Sequence, residues 1–320
     1  MKLVRYPHQR PLNTKTVVTI GNFDGVHLGH QALIKRVVDC AKKNALKSCV
    51  VSMQPLASQY FMGKENVPLL TPFKCKYHLI KALNVNYYCL LNFNKNLAKL
   101  SAVDFIEEML LKGLNAQHII IGDDFRFGKN RVGDIALLKQ YCLPRGVTVA
   151  HINTVVEKDN ARISSSLIRK HLDKSKFDFV EQTLGRRFSI LGRVSKGKQL
   201  GRTLGFPTIN IKLKNRAVPI NGVFCVKVRF SDAETYLGAA SIGTRPTVNG
   251  GSNLLEVYIL DFNKQVYGQN VEVLFYHKIR NEVKFDSLSE LKQQIYDDVL
   301  KTRHFFNNKN KTITEPLREQ

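Results

Sequence analysis

The first half of the chain alternates short apolar runs with longer segments of helical periodicity. In the segment LGHQALIKRVVDCAKKN, the apolar positions 28, 33, 34, 37, 38 and 41 recur at the spacing of one helix face. Further helices are predicted for FKCKYHLIKALN, SAVDFIEEMLLKGLN and GDIALLKQYCLPRG, and strands for TVVTIGNF, SCVVSM, VNYYCLLNF, AQHIIIG and VTVAHINTV. This alternation predicts a parallel sheet covered on both faces, and such sheets bind ligands beyond the carboxyl ends of their strands.

The pattern changes after about residue 184, where short strand-like runs follow one another without intervening helices. The runs are RRFSILGRVSKG, FPTINIKL, NGVFCVKVRF, ETYLGAASIG, LLEVYILDF and QNVEVLFYHKIR. In NGVFCVKVRF, the apolar residues Phe224, Val226, Val228 and Phe230 take one face, whereas Lys227 and Arg229 take the other, as a half-buried antiparallel strand requires. Such strands are expected to close into a small antiparallel β-barrel, and SLSELKQQIYDDVLKTRHFF predicts an amphipathic helix that closes it.

These two patterns predict the fold class and the domain organisation together. We expect an α/β domain with a parallel sheet over residues 1–183. A small antiparallel β-barrel with its closing helix is expected over residues 184–306. The last segment, NNKNKTITEPLREQ at 307–320, is predicted to be a polar tail. The fold class is therefore α/β followed by β.

Composition limits the classes of binding partner and indicates the cellular compartment. The formal net charge of +23 and the pI near 9.8 favour anionic partners such as phosphorylated small molecules, nucleic acid or a membrane surface, unless the charge serves only solubility. The six cysteines include no Cys-x-x-Cys pair, which disfavours a zinc or thioredoxin-like site and favours a reducing compartment. No apolar run has signal-peptide character or approaches the roughly 20 residues of a membrane span, so we expect a soluble cytoplasmic protein.

The segment GNFDGVHLGH lies where a predicted strand turns into a predicted helix. Free backbone amides at a helix start attract phosphate, and glycines at 21, 25 and 29 allow sharp turns and close approach of a ligand. His27 and His30 can donate hydrogen bonds to phosphate oxygens and stabilise the charge that develops when the α-phosphorus of a nucleotide is attacked. A His-x-Gly-His pair also arises by chance, but the strand-to-helix context favours a triphosphate site without a Walker lysine.

Two later segments of the first half have both an ordinary and a functional interpretation. In RISSSLIR, the three serines and Arg169 fit an anion site at a helix start, although serine is also a common helix N-cap. In GDDFRFG, Asp124 precedes Phe125 and Phe127, and the ordinary interpretation is a turn followed by phenylalanines of the core.

The second half contains a segment that resembles a Walker P-loop without meeting its requirements. In GRVSKGKQ, Lys198 follows Gly197, yet Gln199 stands where Ser or Thr must hold magnesium, and no helical stretch follows. We therefore reject a Walker site. The glycines at 197 and 201 still predict a loop whose backbone amides approach phosphate, with Lys198 and Arg202 supplying positive charge.

Three polar residues in predicted strands are candidates for chemistry in the barrel. Thr208 and Asn210 are two residues apart, so a strand places both on one face, where their oxygens suit a magnesium ion that also binds ATP phosphates. An exposed strand face is the alternative explanation for both. Glu256 lies between apolar Leu255 and Val257, and alternation alone makes solvent exposure its simplest explanation.

Taken together, several of these segments resemble a known family. GNFDGVHLGH, IIIGDDFRFGKNRVGD, RISSSLIRKHL, GRTLGFPTINI, IGTRPTV and EVYILDF are similar to motifs of the bifunctional bacterial riboflavin kinase/FAD synthetases, within the HxGH nucleotidyltransferase superfamily. The resemblance extends from about Thr16 to Phe306. It implies a Rossmann-like FMN adenylyltransferase domain at 1–183, which transfers AMP from ATP to FMN and gives FAD and pyrophosphate. It also implies a riboflavin kinase domain at 184–306, which uses ATP and Mg²⁺ to make FMN.

The resemblance also implies roles for individual residues. His27 and His30 are the catalytic residues of the adenylyltransferase, and Glu256 is the general base that takes the proton of the riboflavin 5′-hydroxyl. The implied nucleotide-binding residues of the adenylyltransferase are Gly21, Asn22, Phe23, Asp24, Gly25, Asp124, Ser164, Ser165, Ser166 and Arg169. Those of the kinase are Gly197, Lys198, Gly201 and Arg202. Magnesium is assigned to Thr208 and Asn210, and flavin to Arg280, Glu282 and Phe285.

Two departures from the family pattern leave alternatives open. The family usually carries a segment like TFEPHP followed by an arginine, where this chain has SMQPLASQYF, and Leu69 stands where a further arginine is expected. A riboflavin kinase with a degenerate adenylyltransferase domain is therefore the first alternative. A basic nucleic-acid-binding protein is the second, and it is disfavoured because the sequence has no RNP-like or zinc motif. We expect riboflavin, FMN and ATP as partners, with neither nucleic acid nor a membrane, and the oligomeric state is left open.

Overall fold

The computed structural model describes residues 1–152, 162–197, 200–213, 217–231, 234–245 and 252–314. The chain divides into two compact units, Met1–Ile168 and Arg169–Gln320. The domain boundary predicted after residue 183 lies within the second unit and stays a prediction. Among the described residues, no helix is both long enough and apolar enough to cross a membrane.

Six strands of the first unit form one parallel sheet. They are β1 Lys2–Val4, β2 Thr16–Ile20, β3 Lys47–Gln54, β4 Tyr87–Asn92, β5 Ala116–Gly122 and β6 Thr148–Ile152. Their order in the sheet is β1-β4-β3-β2-β5-β6, and every neighbouring pair is parallel, so the predicted sheet is confirmed. The sequence pattern does not predict β1, because three residues are too few to show a hydrophobic period. Pairing with β4 holds this strand at the sheet edge.

Helices connect these strands in the predicted alternation. They are α1 Leu28–Lys43, α2 Ala57–Met62, α3 Phe73–Ala82, α4 Lys95–Lys99, α5 Ala102–Asp104 and α6 Ile135–Cys142. A π-type helix, Phe105–Gly113, continues α5, so the helix predicted for this segment is present but wound more widely than an α-helix. Two short 3₁₀ helices complete the unit, Lys129–Arg131 and Leu143–Arg145.

Both faces of the parallel sheet are buried, as the predicted α/β arrangement requires. On β2, Val17 shares an apolar cluster with Ile34 and Val37 of α1. Its neighbour Val18 belongs to a second cluster that contains Phe105. Because consecutive strand residues point to opposite faces, the two clusters lie on opposite sides of the sheet. The carboxyl end of β2, where the candidate histidine segment begins, is therefore held from both sides.

The second unit contains a closed antiparallel barrel. Its strands are β7 Ser189–Ser195, β8 Thr208–Lys212, β9 Gly222–Phe230, β10 Thr235–Arg245, β11 Ser252–Ile259 and β12 Asn270–Arg280. Their order around the barrel is β10-β11-β8-β7-β12-β9. The remaining helices of the chain are α7 Ser165–Asp173, α8 Phe177–Leu184, α9 Leu200–Thr203 and α10 Leu288–Thr314. The predicted barrel with a closing helix is confirmed.

Strand β9 shows how the closing helix changes the predicted burial. Val226 and Val228 are buried and Arg229 is exposed, as predicted, but Cys225 on the other face is buried too. The Cys225 thiol lies 3.8 Å from the hydroxyl of Thr302 on α10, so this helix covers part of the outer face. Burial raises the pKa of the Cys225 thiol to about 11, which keeps it protonated at neutral pH.

Helix α10 is longer than predicted. It continues to Thr314, beyond the predicted helix end at Phe306, and the polar tail at 307–320 stays a prediction. This segment contains neither glycine nor proline before Pro316, and lysine and asparagine do not by themselves end a helix. Residues 315–320 lie outside the described part of the chain.

Candidate active sites

The segment between β2 and α1 forms the predicted turn from strand to helix. Its backbone bends through Phe23, Gly25 and Val26, whose φ values are 48°, 86° and 43°. Such values are uncommon for residues other than glycine, and here the side chains of Phe23 and Val26 are buried. His27 then caps α1, because its Nδ1 accepts a hydrogen bond from the backbone amide of His30 over 3.3 Å. The turn thus places both imidazoles at the amino end of the helix.

The rings of His27 and His30 stack on each other, with centroids 3.5 Å apart and planes inclined by 20°. The ring of Phe23 meets that of His30 edge-on, with centroids 5.1 Å apart. Burial lowers the pKa of His30 well below its ordinary value, and the charges of His27 and Lys76 lower it further. His30 is therefore neutral at pH 7, so one ring nitrogen donates and the other accepts. Its Nδ1 is buried and meets no hydrogen-bond partner within the described part of the chain.

The carboxylate of Asp24 ties this turn to the segment that precedes α3. It accepts hydrogen bonds from the backbone amides of Leu70 and Thr71 over 3.1 and 3.0 Å. The hydroxyl of Thr71 accepts the amide of Gly25 over 2.5 Å. The hydroxyl of Ser165 donates to the backbone carbonyl of Asp24 over 2.8 Å, which joins two of the predicted phosphate segments. The side chain of Asp24 therefore faces the protein, and nucleotide contact by Asp24 stays a prediction.

Lys76 on α3 belongs to this site, although the sequence motifs do not single it out. Its side chain is 6 % exposed, and its ammonium donates to the backbone carbonyl of Asn22 over 2.6 Å and lies 3.5 Å from the hydroxyl of Ser52. Burial lowers the pKa of Lys76 to about 8, against the opposing attraction of Asp24. The sequence does carry a signal, because Lys76 lies four residues before buried Ile80, on the face of α3 where apolar residues are expected.

Two other predicted nucleotide residues of the first unit lie on separate segments. Asp124 follows β5 and forms an ion pair with Arg162, whose guanidinium is also 3.5 Å from Asp123. The hydroxyl of Ser164 accepts a hydrogen bond from the amide of Leu167 over 3.2 Å, as an ordinary N-cap does. Both side chains therefore have partners within the protein, and their contact with nucleotide stays a prediction.

The aromatic residues of the GDDFRFG segment belong to the core. Phe127 is buried, with ring centroids 5.5 Å from Phe105 and 5.7 Å from Phe125, so the ordinary interpretation of these phenylalanines is confirmed. In the serine-rich segment, Ser166 is exposed and Arg169 is half-buried. Phosphate binding by these two residues stays a prediction.

In the barrel, strand register brings together residues that the sequence identified separately. Glu256 on β11 lies directly across from Asn210 on β8 and from Ser241 on β10. Thr208 is two residues from Asn210 and so shares its face. Val257, next to the predicted base, is fully buried on the opposite, apolar face. The predicted base and both predicted magnesium ligands therefore form one polar patch.

Asn210 is the most informative residue of this patch. Its side-chain oxygen is buried and, among the described residues, meets no hydrogen-bond donor. A buried amide oxygen without a donor is costly, so the position suits an added cation or donor. Gly197 packs against this side chain, because a Cβ atom at position 197 would come within 2.5 Å of the oxygen. Ser195 on β7 fixes the backbone by donating to the Asn210 carbonyl over 3.1 Å.

The glycine-containing loop after β7 is compact. The amide of Phe206 donates to the carbonyl of Gly201 over 2.7 Å, and a Cβ atom at Gly201 would collide with the carbonyl of Phe206. Gly205 has a φ of 88°, which favours glycine. Arg202 on α9 is exposed. The predicted nucleotide residue Lys198 lies outside the described residues.

Of the three predicted flavin residues, Glu282 lies nearest to the polar patch. Its carboxylate accepts a hydrogen bond over 3.2 Å from Ser241, the cross-strand neighbour of the predicted base. Arg280 is held by Asp298 of α10 through charged hydrogen bonds, from Nε over 3.0 Å to each carboxylate oxygen and from a terminal nitrogen over 2.8 Å. The same guanidinium lies 5.7 Å from the ring of Phe285. Arg280 therefore links β12 to α10, and its contact with flavin stays a prediction.

Comparison with known proteins agrees with this division of sites. The FAD synthetase family model matches residues 9–167, and the riboflavin kinase family model matches residues 184–306. A bifunctional riboflavin kinase/FMN adenylyltransferase of Haemophilus influenzae is 42 % identical over 291 residues, which cover 91 % of this chain and 94 % of that protein. A protein of the same description from Escherichia coli K12 is 39 % identical over 309 residues, covering 96 % and 98 % of the two chains.

A solved structure is similar to most of this chain. It is a crystal structure described as a macrolide-efflux protein from Streptococcus pneumoniae, with a TM-score of 0.79 and 28 % sequence identity. The match covers 94 % of this chain and 98 % of that one. With both family models matched in order and relatives of about 40 % identity aligned over more than nine-tenths of the chain, the chain belongs to the family of bifunctional riboflavin kinase/FMN adenylyltransferases.

Proposed function

We propose that the chain carries out two consecutive ATP-dependent reactions, one in each unit. The second unit phosphorylates riboflavin with ATP, giving FMN and ADP. The first unit transfers AMP from a second ATP molecule to FMN, giving FAD and pyrophosphate. The observation that carries the proposal is the presence of two separate polar sites, the His27–His30 pair and the Glu256–Asn210 patch, within the segments that match the two family models.

In the kinase reaction, Glu256 accepts the proton of the riboflavin 5′-hydroxyl as that oxygen attacks the γ-phosphorus of ATP. Glu256 is half-buried between its cross-strand neighbours Asn210 and Ser241. This pairing fixes the backbone position from which the carboxylate side chain extends. Glu282 places a second carboxylate beside Ser241, where it can accept a hydrogen bond from the flavin. Strand β11 thus supplies a base, and the segment that follows β12 supplies a neighbouring acceptor.

Magnesium would be held in the kinase site by Thr208 and Asn210. The buried Asn210 oxygen, which lacks a donor among the described residues, fits a hard cation. The described residues contain no group of three His, Cys, Asp or Glu side chains that could hold a metal ion on its own. One or two protein oxygens together with ATP phosphates and water match the usual coordination of Mg²⁺. When bound, the ion would neutralise charge on the ATP phosphates.

Gly197→Ala is expected to weaken magnesium-dependent FMN formation. The added methyl group would displace the Asn210 side chain, because the two would lie 2.5 Å apart. We expect the rate to fall roughly tenfold or more, since small displacements of a positioning group are costly. We also expect a higher Mg²⁺ concentration for the half-maximal rate. Initial rates over a magnesium titration measure both, with FAD formation from supplied FMN as the internal control. An unchanged magnesium dependence would refute the role of Asn210.

In the adenylyltransferase reaction, a phosphate oxygen of FMN attacks the α-phosphorus of ATP and pyrophosphate leaves. The imidazoles of His27 and His30, together with backbone amides at the start of α1, donate to phosphate oxygens where negative charge accumulates. Ser165 holds the serine-rich segment beside this turn through the Asp24 carbonyl. These groups act by position and electrostatics, so we expect no covalent enzyme intermediate.

Three aromatic rings offer a surface for FMN in the first unit. Tyr60 and Phe61 on α2 meet Phe93, which follows β4, in edge-to-face contacts with centroids 5.4 and 5.9 Å apart, and the two rings of α2 lie 5.1 Å from each other. Phe61 is 70 % exposed, so its ring can stack on a planar flavin. The cluster lies at the carboxyl end of the sheet and includes residues of the segment that replaces the family's TFEPHP pattern. Its presence favours a working adenylyltransferase over a degenerate one.

Phe61→Ala is expected to raise the KM for FMN about fivefold, equivalent to about 1 kcal/mol of lost aromatic contact. Riboflavin phosphorylation should not change. Met62→Ala is the matched control, because Met62 is the next residue on α2 and is 61 % exposed. Steady-state rates of FAD formation with FMN varied at saturating ATP measure the effect. Equal KM values for Phe61→Ala and the unsubstituted protein would exclude the aromatic cluster as the FMN surface.

Product analysis tests the proposed function as a whole. Purified protein incubated with riboflavin, ATP and Mg²⁺ should form FMN first and FAD afterwards. FMN without FAD would support a kinase with a degenerate adenylyltransferase domain, and neither product would refute the proposal. Salt-dependent binding of oligonucleotides without flavin affinity would favour a nucleic-acid-binding protein instead.

We place both reactions in the cytoplasm. The six cysteines are free thiols in this structure, and four of them are buried. Free thiols without a zinc-type or redox motif suit a reducing compartment, where riboflavin and ATP would meet the enzyme.

A further inference from the structure

Lys76 places an ammonium group inside the first unit. Only 6 % of the residue is exposed. Lysine is seldom buried, because removing its charge from water is costly unless nearby groups compensate. An apolar residue at this position of α3 would pack against the sheet without that cost. The charge therefore requires a reason other than stability.

The ammonium of Lys76 is directed at the end of the nucleotide-binding turn. It donates to the carbonyl of Asn22 over 2.6 Å, and the hydroxyl of Ser52 lies 3.3 Å from the same carbonyl. The preceding residue, Gly21, is bonded to β3 through its amide, which donates to the carbonyl of Val51 over 3.0 Å. Lys76 thus fixes the peptide group that follows Asn22, just beyond the sheet hydrogen bond of the Gly21 amide. The orientation of that group sets the path of the chain toward the histidines.

The charge of Lys76 also reaches the ionisable groups around it. The carboxylate of Asp24 in the turn attracts the Lys76 ammonium. The charge of that ammonium in turn lowers the pKa of His30 on α1. The hydroxyl of Tyr88 on β4 faces Ser52. Burial raises the pKa of Tyr88 to about 12, so the tyrosine adds no charge near Lys76 at neutral pH. His27 stacks on His30 and adds its own influence. Loss of the proton from Lys76 would therefore remove a positive charge that acts on both the turn and His30.

We propose that Lys76 is a positioning residue for adenylyl transfer, whose charged form holds the Asn22 carbonyl so that the turn carrying His27 and His30 is aligned before ATP binds. The inference rests on the proposed adenylyl transfer. Lys76 acts through the backbone of the turn and through His30, and it does not itself contact the reacting atoms. Its hydrogen bond to Asn22 requires no rearrangement on binding, which is the benefit of a group that is already in place.

Lys76→Met removes the charge while keeping an unbranched apolar stem of similar shape. We expect kcat for FAD formation from FMN to fall about 100-fold, the size of effect that misplacement of a reacting group by about 1 Å produces. The KM for FMN and the riboflavin kinase rate of the same preparation should stay near those of the unsubstituted protein. Lys74→Met is the matched control, because Lys74 is exposed on the same helix and should tolerate the change.

The pH profile separates positioning from simple structural support, and it needs no substitution. In the unsubstituted protein, kcat/KM for FAD formation should fall as pH rises through about 8, where Lys76 loses its proton. The residual activity of Lys76→Met should lack this alkaline limb, and the His30 imidazole should titrate at higher pH in the variant when followed by NMR. The kinase reaction should show no such difference between the two proteins.

Four outcomes decide the proposal. A Lys76→Met variant that keeps the unsubstituted rate of FAD formation would overturn it, and so would an unsubstituted protein without the alkaline limb. A variant that keeps that limb, or an unchanged His30 titration, would overturn it as well. If the unsubstituted protein makes FMN but never FAD, the proposed adenylyl transfer fails and not the role of Lys76 within it. The two failures are therefore distinguishable.

Discussion

Glu256→Gln is expected to abolish FMN formation while leaving FAD formation from supplied FMN intact. The amide keeps the size of the carboxylate but cannot accept the proton of the 5′-hydroxyl, and loss of a general base typically costs about 10²- to 10⁴-fold in rate. The effect should appear in kcat more than in the KM for riboflavin, because proton transfer occurs only in the transition state. Rates of FMN formation, measured with and without the substitution on the same preparation, give the result.

Glu272→Gln is the matched control for this experiment. Glu272 is another half-buried carboxylate on a barrel strand, and its hydrogen bond of 2.7 Å to Ser189 lies away from the polar patch. We expect this variant to phosphorylate riboflavin at nearly the unsubstituted rate. A Glu256→Gln protein that forms FMN as fast as the control would show that the base is another residue.

His30→Ala is expected to produce the opposite pattern, with FAD formation lost and FMN formation kept. Removal of a single preorganised donor at a site of developing charge typically costs about 10²- to 10³-fold in kcat. The substitution also removes the stacking partner of His27, whose ring centroid lies 3.5 Å away. The loss should therefore lie toward the upper end of that range. FAD formation from supplied FMN and ATP measures it.

His78→Ala controls for the loss of an imidazole in general. His78 is exposed on α3 and outside the turn, so this variant should keep both activities. Loss of both activities in His30→Ala would instead indicate damage to folding of the chain. Retention of FAD formation by His30→Ala would show that the histidine pair does not face the α-phosphate.

The elements of this fold could be predicted because each carries its own local pattern. The period of α1, with Leu33, Ile34 and Val37 on one face, is visible within sixteen residues, and the β-branched runs of the sheet are equally local. The turn between β2 and α1 was likewise visible from its glycines and histidines. Strand β1 and the end of α10 were missed or misplaced because one is too short and the other too polar to show a period.

The contacts within the sites could be predicted only in part, because they join distant segments. The bond from Lys76 to Asn22 links residues 54 positions apart, and no local pattern reports it. The pairing of Glu256 with Asn210 depends on strand register, which follows from closure of the whole barrel. Residue types can suggest a base or a metal ligand, whereas the register decides which of them meet.

Two predicted nucleotide residues illustrate the limit of local chemistry. Asp24 and Ser164 have the side chains expected of a polar site, yet the carboxylate of Asp24 accepts the amides of Leu70 and Thr71, and Ser164 caps α7. A carboxylate or a hydroxyl in a motif can equally well hold the backbone that presents other groups. Only the position of donors from another segment distinguishes these uses.

Labelled ATP tests most directly whether one chain uses two ATP molecules at two different phosphorus atoms. The protein is incubated with riboflavin, Mg²⁺ and ATP that carries distinguishable labels on its α- and γ-phosphorus, and FAD is then isolated. We predict that FAD contains both labels in a ratio of one to one, since its flavin phosphate comes from the γ-position and its adenylate from the α-position. FMN as the final flavin product, or FAD without the γ-label, would contradict the assignment of the two reactions to the two units.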